Sequence, residues 1–213
     1  MKPKIRIFIN HPECSVQSGG GLYEALSPHF NVAFFTTADI NYKTFKKIDV
    51  IAFPGGLGDS DSFDKLLAPI KEVIQNCISH GKKYLGVCMG AYWTDKHYFN
   101  LLKDARTLQY IKRPNAEVRR SFSTTVQINW LGRTEDMFFY DGCAIIGDES
   151  KFTTIARYAN NDPMAVIQNN IGIIGCHPES MLGWYNKKYL KDQWHYYKHH
   201  KLLVDFTKQL LLS

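Results

Sequence analysis

The densest chemical pattern in the chain is Gly86-Val87-Cys88-Met89-Gly90, a cysteine between two glycines at the end of the apolar run Tyr84 to Val87. When such a pentapeptide joins a strand to a helix, its central residue sits in a sharp turn, and the glycines let neighbouring backbone come close. The turn lifts the sulfur out of the sheet. A helix opening at Met89 would aim its free N–H groups and positive dipole end at that sulfur, which favours the nucleophilic thiolate and can also stabilise an oxyanion. The pentapeptide alone fits a small buried residue at a glycine-rich turn equally well.

A second segment, Gly175-Cys176-His177-Pro178-Glu179, follows the apolar run Ile171 to Ile174. A histidine at a strand end, with a carboxylate just beyond a stiffening proline, can serve as a general base held by an orienting acid. Read alone it is a histidine at a loop mouth beside an exposed glutamate. Its place at the carboxyl end of a strand is where open α/β sheets keep their sites. A third segment, Phe53-Pro54-Gly55-Gly56-Leu57-Gly58, also follows a buried strand. Backbone N–H groups in such a turn can face a developing negative charge without side-chain interference, so the N–H groups of Gly56 and Met89 are the candidate oxyanion donors, with Gly55 and Tyr92 beside them. Neither glycine pattern of a phosphate-binding loop occurs.

These segments need a scaffold that brings strand ends together, and the first half of the chain has that rhythm of strand, helix and turn. Ile5–Ile9, Val32–Thr36, Val50–Phe53 and Tyr84–Val87 read as strands. A loop containing Gly19-Gly20-Gly21 leads to a short helix around Leu22–Leu26, and Phe63–Ser79 has helical spacing that stops at Gly81. In the second half, Thr125–Trp130, Met137–Tyr140, Phe152–Tyr158, Met164–Gln168 and Ile171–Cys176 read as short strands, several in antiparallel hairpins beside the main sheet. Lys187–Leu211 reads as a long aromatic-rich helix closing one face. The fold expected is α/β and flavodoxin-like: an open, mostly parallel sheet, helices on both faces, and an added antiparallel region. No repeat or linker divides it, so residues 1–213 are read as a single domain.

Composition sets outer bounds. With 45% hydrophobic and 14% aromatic residues the chain can build a substantial core. The apolar run after Lys4 is too short for a signal peptide, no stretch reaches membrane-spanning length, and a cytoplasmic location is expected. Cys14, Cys77, Cys88, Cys143 and Cys176 show no close Cys-x-x-Cys pair, so free thiols are expected and no metal site is implied. The net charge of +6 owes much to lysines between Asn186 and Ser213, which read as a solvated helix face rather than a nucleic-acid site.

Taken in order, Pro54-Gly55-Gly56, Gly86 to Gly90 and His177-Pro178-Glu179 resemble the class I glutamine amidotransferase superfamily. Phe53 to Gly56, Tyr84 to Tyr92 and His177 to Glu179 are most similar to the amidotransferase-like N-terminal domain of eukaryotic-type biotin–protein ligases, over roughly residues 4 to 182. The resemblance implies that Cys88 attacks a carboxamide or related acyl carbon, His177 moves the proton, Glu179 orients the imidazole, and a thioester forms on Cys88. It implies a small-molecule amide or acyl substrate, no cofactor, and a protein partner or homo-oligomer as further options. Tyr92 stands where glutamine-using members commonly carry a substrate-holding Gln. The alternatives on the same scaffold are a non-catalytic ligand-binding or regulatory module and a cysteine peptidase or other hydrolase.

Other residues have plainer readings. Cys176 reads as a small core residue. His195, His199 and His200 read as facing water from the last helix. Lys103, Arg106, Lys112, Arg113, Arg119 and Arg120 form a basic insert that either caps the site or is a solvated loop, and Cys14 and Ser15 border the first strand–helix loop.

Overall fold

The computed structural model describes residues 2–213. Its strands are β1 (Lys4–Phe8), β2 (Asn31–Phe35), β3 (Val50–Phe53), β4 (Lys83–Val87), β5 (Ala105–Gln109), β6 (Thr124–Trp130), β7 (Arg133–Phe139), β8 (Cys143–Gly147), β9 (Thr153–Tyr158), β10 (Pro163–Gln168) and β11 (Ile171–Ile174). The helices are α1 (Val16–Leu26), α2 (Tyr42–Phe45), α3 (Ser60–Leu67), α4 (Lys71–Ser79), α5 (Met89–Tyr92) and α6 (Lys198–Leu212). Nine strands form one sheet in the order β2-β1-β3-β4-β11-β10-β9-β6-β7, and β5 pairs with β8 in a separate ribbon.

The half from β2 to β11 is parallel and has the flavodoxin-like order; the half from β11 to β7 is antiparallel. The hairpins expected beside the main sheet are thus its continuation. Parallel strands are covered on both faces, which is why they read as unbroken apolar runs. Ile5, Ile7, Val50, Ala52, Leu85 and Val87 face a core closed by α1 and α6. Ile51, Phe53, Tyr84, Ile171 and Ile173 face the opposite core, closed by α3 and α4. No helix among the described residues is long and apolar enough to cross a membrane.

Several expected elements differ. The Gly19-Gly20-Gly21 run lies inside α1 rather than in a loop. Packing demands it: a Cβ on Gly21 would lie 2.2 Å from the carbonyl oxygen of Glu179, and one on Gly19 would lie 2.3 Å from Ile9 Cδ1. The single helix expected over Phe63–Ser79 is two, α3 and α4, broken around Pro69, whose ring removes an N–H and restricts the residue before it. The final helix starts at Lys198 rather than Lys187, because Tyr196 and Tyr197 take left-handed φ values of 47° and 63°. Residues before them form 3₁₀ turns at Leu182–Tyr185 and Lys191–Gln193.

The histidines of that segment are buried instead of facing water, with His195, His199 and His200 only 5%, 1% and 6% exposed. His195 and His200 each place Nε2 near the Ser180 carbonyl oxygen, at 3.2 and 3.1 Å, and the rings of His195 and His199 stack at 4.2 Å. They tether the start of α6 to the backbone directly after Glu179. Burial, followed by the charges His199 and His200 would carry, holds His195 down at about 3. Burial and the nearby Lys198 hold His199 at about 4.

This packing sets the effect of substitutions in the glycine runs. Gly90→Ala should lower stability by about 1–3 kcal/mol or more, because its Cβ would lie 2.0 Å from Phe53 O. Gly20→Ala, in open space within α1, should raise it by about 0.5–1 kcal/mol. Denaturant midpoints read both. The depressed histidines supply stability that is complete above the ordinary histidine pKa and is lost as pH falls from there toward 4 and 3. Urea midpoints across that range should fall for the native chain and fall less steeply for His199→Gln.

Candidate active site

Strands β1, β3, β4 and β11 end on one edge, and each delivers a segment to the same place. β4 runs into Cys88, whose φ of 49° and ψ of −102° are rare for a side-chain-bearing residue. Neighbouring backbone holds it there. The Cys88 N–H donates to Ile174 O at the end of β11 (2.8 Å), and the Gly90 N–H donates to Pro54 O after β3 (3.2 Å). Tyr84 closes the turn by donating its hydroxyl to Gly90 O at 2.7 Å. The helix after the elbow is a single turn, Met89–Tyr92, and Cys88 is its N-cap.

His177 follows β11 and is fixed on several sides. Its N–H donates to Phe138 O at 2.9 Å, and its ring meets those of Phe138 and Trp184 edge-on with centroids 5.9 and 5.4 Å away. Nδ1 lies 2.8 Å from Glu179 Oε1, so Nε2 is the nitrogen left for exchange with a reacting group. Gly55 makes room for the ring, since a Cβ there would lie 2.6 Å from Cε1 of His177.

Glu179 is fully buried. Its Oε1 also accepts a 2.6 Å bond from the Ser18 hydroxyl, and Ser18 Oγ accepts the Gly55 N–H at 2.8 Å. A chain of buried groups therefore runs from the Pro-Gly-Gly loop through Ser18 and Glu179 to His177. Sequence patterns do not reveal Ser18: a serine in the first turn of a glycine-rich helix carries no signal of a partner 161 residues away. Its only local mark is a cap, Ser15 Oγ accepting the Ser18 N–H at 3.1 Å.

Burial alone would disfavour the imidazolium, but the charges of Cys88 and Glu179 and hydrogen bonds to both outweigh it and lift the His177 pKa to about 10. A raised histidine value adds stability that is complete below the ordinary histidine pKa and is lost as pH climbs through about 10.

Cys88 lies at the meeting of two cavities. The first, of about 390 Å³, includes His11, Ser18, Gly55, Gly56, Cys88, Phe138, His177 and Trp184 in its walls. The second, of about 300 Å³, includes Gly56, Cys88, Met89, Tyr92, Gln109, Tyr140 and Asp141. Cys88 is 4% exposed, and its sulfur lies 3.6 Å from Tyr140 O. Cys88, His177, Glu179, Gly55, Gly56, Met89 and Tyr92 are thus gathered at one locus. Tyr92 donates its hydroxyl to Asp141 O at 3.1 Å.

The remaining candidates divide. Ser15 lines the first cavity, whereas Cys14 is buried away from solvent and Cys176 is the core residue its sequence context predicts. The basic insert does not cap the site: none of its six cations lines either cavity. Arg113 instead forms a two-pronged ion pair with Asp162 at 2.8 and 3.1 Å, and Arg106 lies in β5. Among the described residues no cluster of His, Cys, Asp and Glu could hold a metal ion.

A flavodoxin-like sheet whose central strand delivers a cysteine elbow beside a buried His–Glu pair belongs to the nucleophile-elbow class of α/β proteins. Residues 27–196 match the model of the family "glutamine amidotransferase class-I", and the chain belongs to that family. Solved structures share the fold at low identity. A glutamine amidotransferase from Thermotoga maritima superposes with a TM-score of 0.72 at 8% identity, covering 100% of both chains. PurLQS from the same organism gives 0.65 at 16%, covering 97% of this chain and 100% of that one. A protein from Thermoplasma acidophilum described as one subunit of a putative GMP synthase gives 0.60 at 15%, covering 98% of each. No curated protein matches the sequence significantly.

If Glu179 holds the imidazolium as described, Glu179→Gln should lower the His177 pKa, because it removes a favourable charge and keeps the shape. NMR titration of the His177 ring should show a midpoint near 10 in the native chain and a clearly lower one in the variant. Equal midpoints would show that the carboxylate does not charge-stabilise the ring.

Proposed function

We propose that the chain is a cysteine-dependent amidase or amidotransferase-like enzyme acting through Cys88, His177 and Glu179. What carries the reading is that Cys88 and His177 line one cavity while Nδ1 of His177 is held 2.8 Å from a buried carboxylate. A pocket that only binds has no use for a buried Ser18–Glu179–His177 chain, and this favours turnover over a binding module.

In the proposed reaction the Cys88 thiolate attacks the carbonyl carbon of an amide. The tetrahedral oxyanion is met by the N–H groups of Gly56 and Met89, which donate to no protein acceptor among the described residues. As the C–N bond breaks, the imidazolium of His177 gives its Nε2 proton to the departing nitrogen, leaving an acyl thioester on Cys88 and a neutral imidazole. That imidazole then takes a proton from water, hydroxide adds to the thioester, and the acid and the restored thiol leave. An acceptor amine in place of water would make the second step a transfer.

Residues 1–213 read as one amidotransferase-like domain, and five free buried cysteines suit a cytoplasmic, reducing setting. A protein partner fits the reading, since one structural neighbour is described as part of a synthase of more than one chain. The likeness of Phe53 to Gly56, Tyr84 to Tyr92 and His177 to Glu179 to the biotin–protein ligase domain rests on those motifs.

Alkylation tests the nucleophile. Iodoacetamide near neutral pH should modify Cys88 at least about tenfold faster than Cys14 or Cys77, as an activated thiolate requires, and Cys88→Ala should abolish both the fast modification and all amide turnover. Labelling of Cys88 no faster than of Cys14 or Cys77 removes the proposal. Release of ammonia from small amides, against amine release from peptides, separates the amidase from a peptidase.

A further inference from the structure

The cavity walled by Met89, Tyr92 and Asp141 carries an unusual feature. Asp141 places Oδ1 where it is buried and without a partner, while its Oδ2 accepts a 3.0 Å bond from Gln109 Nε2. A buried acceptor without a donor is costly and calls for a ligand group that can supply one. Asp141 is also the only formally charged side chain in that wall, which is otherwise built of aromatic, apolar and glycine residues with Gln109 and Cys88. No lysine, arginine or histidine is there to meet a carboxylate.

The two cavities also have different relations to the chemistry. His177 lines the first and not the second. On the proposed reaction His177 protonates the departing nitrogen, so the leaving group faces the first cavity. The acyl chain then lies on the opposite side of the sulfur, along Met89 and Tyr92 toward Asp141.

From this we infer that the second cavity is an acyl subsite selecting amides whose acyl chain ends in a protonated amine, with Asp141 as its anchor, and disfavouring a free carboxylate at the same end. The inference rests on the amidase reading for its word "acyl". It departs from glutamine itself, which carries an amine and a carboxylate on the same carbon and would bring the second into an acidic, cation-free pocket.

Four small amides of similar length isolate the two charges: 5-aminopentanamide has the amine alone, glutaramic acid the carboxylate alone, L-glutamine both, and pentanamide neither. For each, ammonia release gives kcat/KM, and protection of Cys88 from iodoacetamide gives binding without turnover. A charge-assisted hydrogen bond implies that 5-aminopentanamide should exceed pentanamide by about tenfold or more in both measures. Glutaramic acid should be the poorest, with glutamine below 5-aminopentanamide. Asp141→Asn should bring the ratio of 5-aminopentanamide to pentanamide to near unity. Should that variant fail to fold, the ranking in the native chain still decides. Turnover of all four amides without a charge ranking, or a preference for the carboxylate, overturns the subsite and leaves the amidase intact. Protection by 5-aminopentanamide with no turnover of any amide upholds the amine-binding site and removes the amidase. Neither protection nor turnover overturns both.

Discussion

Cys88 can present its sulfur only while its backbone stays at φ 49° and ψ −102°, a conformation that costs on the order of 1–3 kcal/mol for a residue with a side chain. Three parts of the chain hold it there: Ile174 O at the end of β11, Pro54 O after β3, and the Tyr84 hydroxyl from within β4. The glycines on either side admit these contacts. A Cβ on Gly86 would lie 2.4 Å from Gly90 O, and one on Gly90 would lie 2.0 Å from Phe53 O. Sheet register, the elbow and the Pro-Gly-Gly loop are therefore one constraint seen from three strands.

Electrostatics completes what the backbone begins. Burying a carboxylate is expensive unless it is paired and hydrogen-bonded, and Glu179 meets that condition with one oxygen only, which takes both Ser18 and His177. Its other oxygen, Oε2, is buried without a protein partner. The His195, His199 and His200 group, packed around the Ser180 carbonyl, steadies the backbone just beyond Glu179 while its first two members stay uncharged. The site thus joins an imidazolium kept charged to neighbouring imidazoles kept neutral, and the sign in each case follows from what lies beside a buried ring.

Motifs at strand ends are legible in the sequence because the chemistry needs short, contiguous residue types. Gly86 to Gly90, Pro54 to Gly56 and His177 to Glu179 each stand in one line of sequence, and apolar runs mark the strands that place them. Contacts across long stretches of chain are not legible. Ser18 looks like any helix-cap neighbour until α1 packs against Glu179, and the three glycines of α1 look like a loop until a carbonyl is seen against Gly21. The histidines before and in α6 read as solvent-facing because apolar spacing carries a helix through Tyr196 and Tyr197, whose left-handed backbone turns the chain inward. β5 and β8 escape notice since each is a short strand pairing only with the other, outside the large sheet.

That small ribbon has a further meaning. Gln109 is the last residue of β5, and Asp141 lies just before β8, so the pair that shapes the second cavity hangs from a sheet of two strands. Cys88 and His177 hang from the sheet of nine. Substitutions that reshape the ribbon can change which acyl group is admitted while leaving the nucleophile and its base on their own support. Selection for a new substrate can then act on one module of the chain without reopening the geometry of the other.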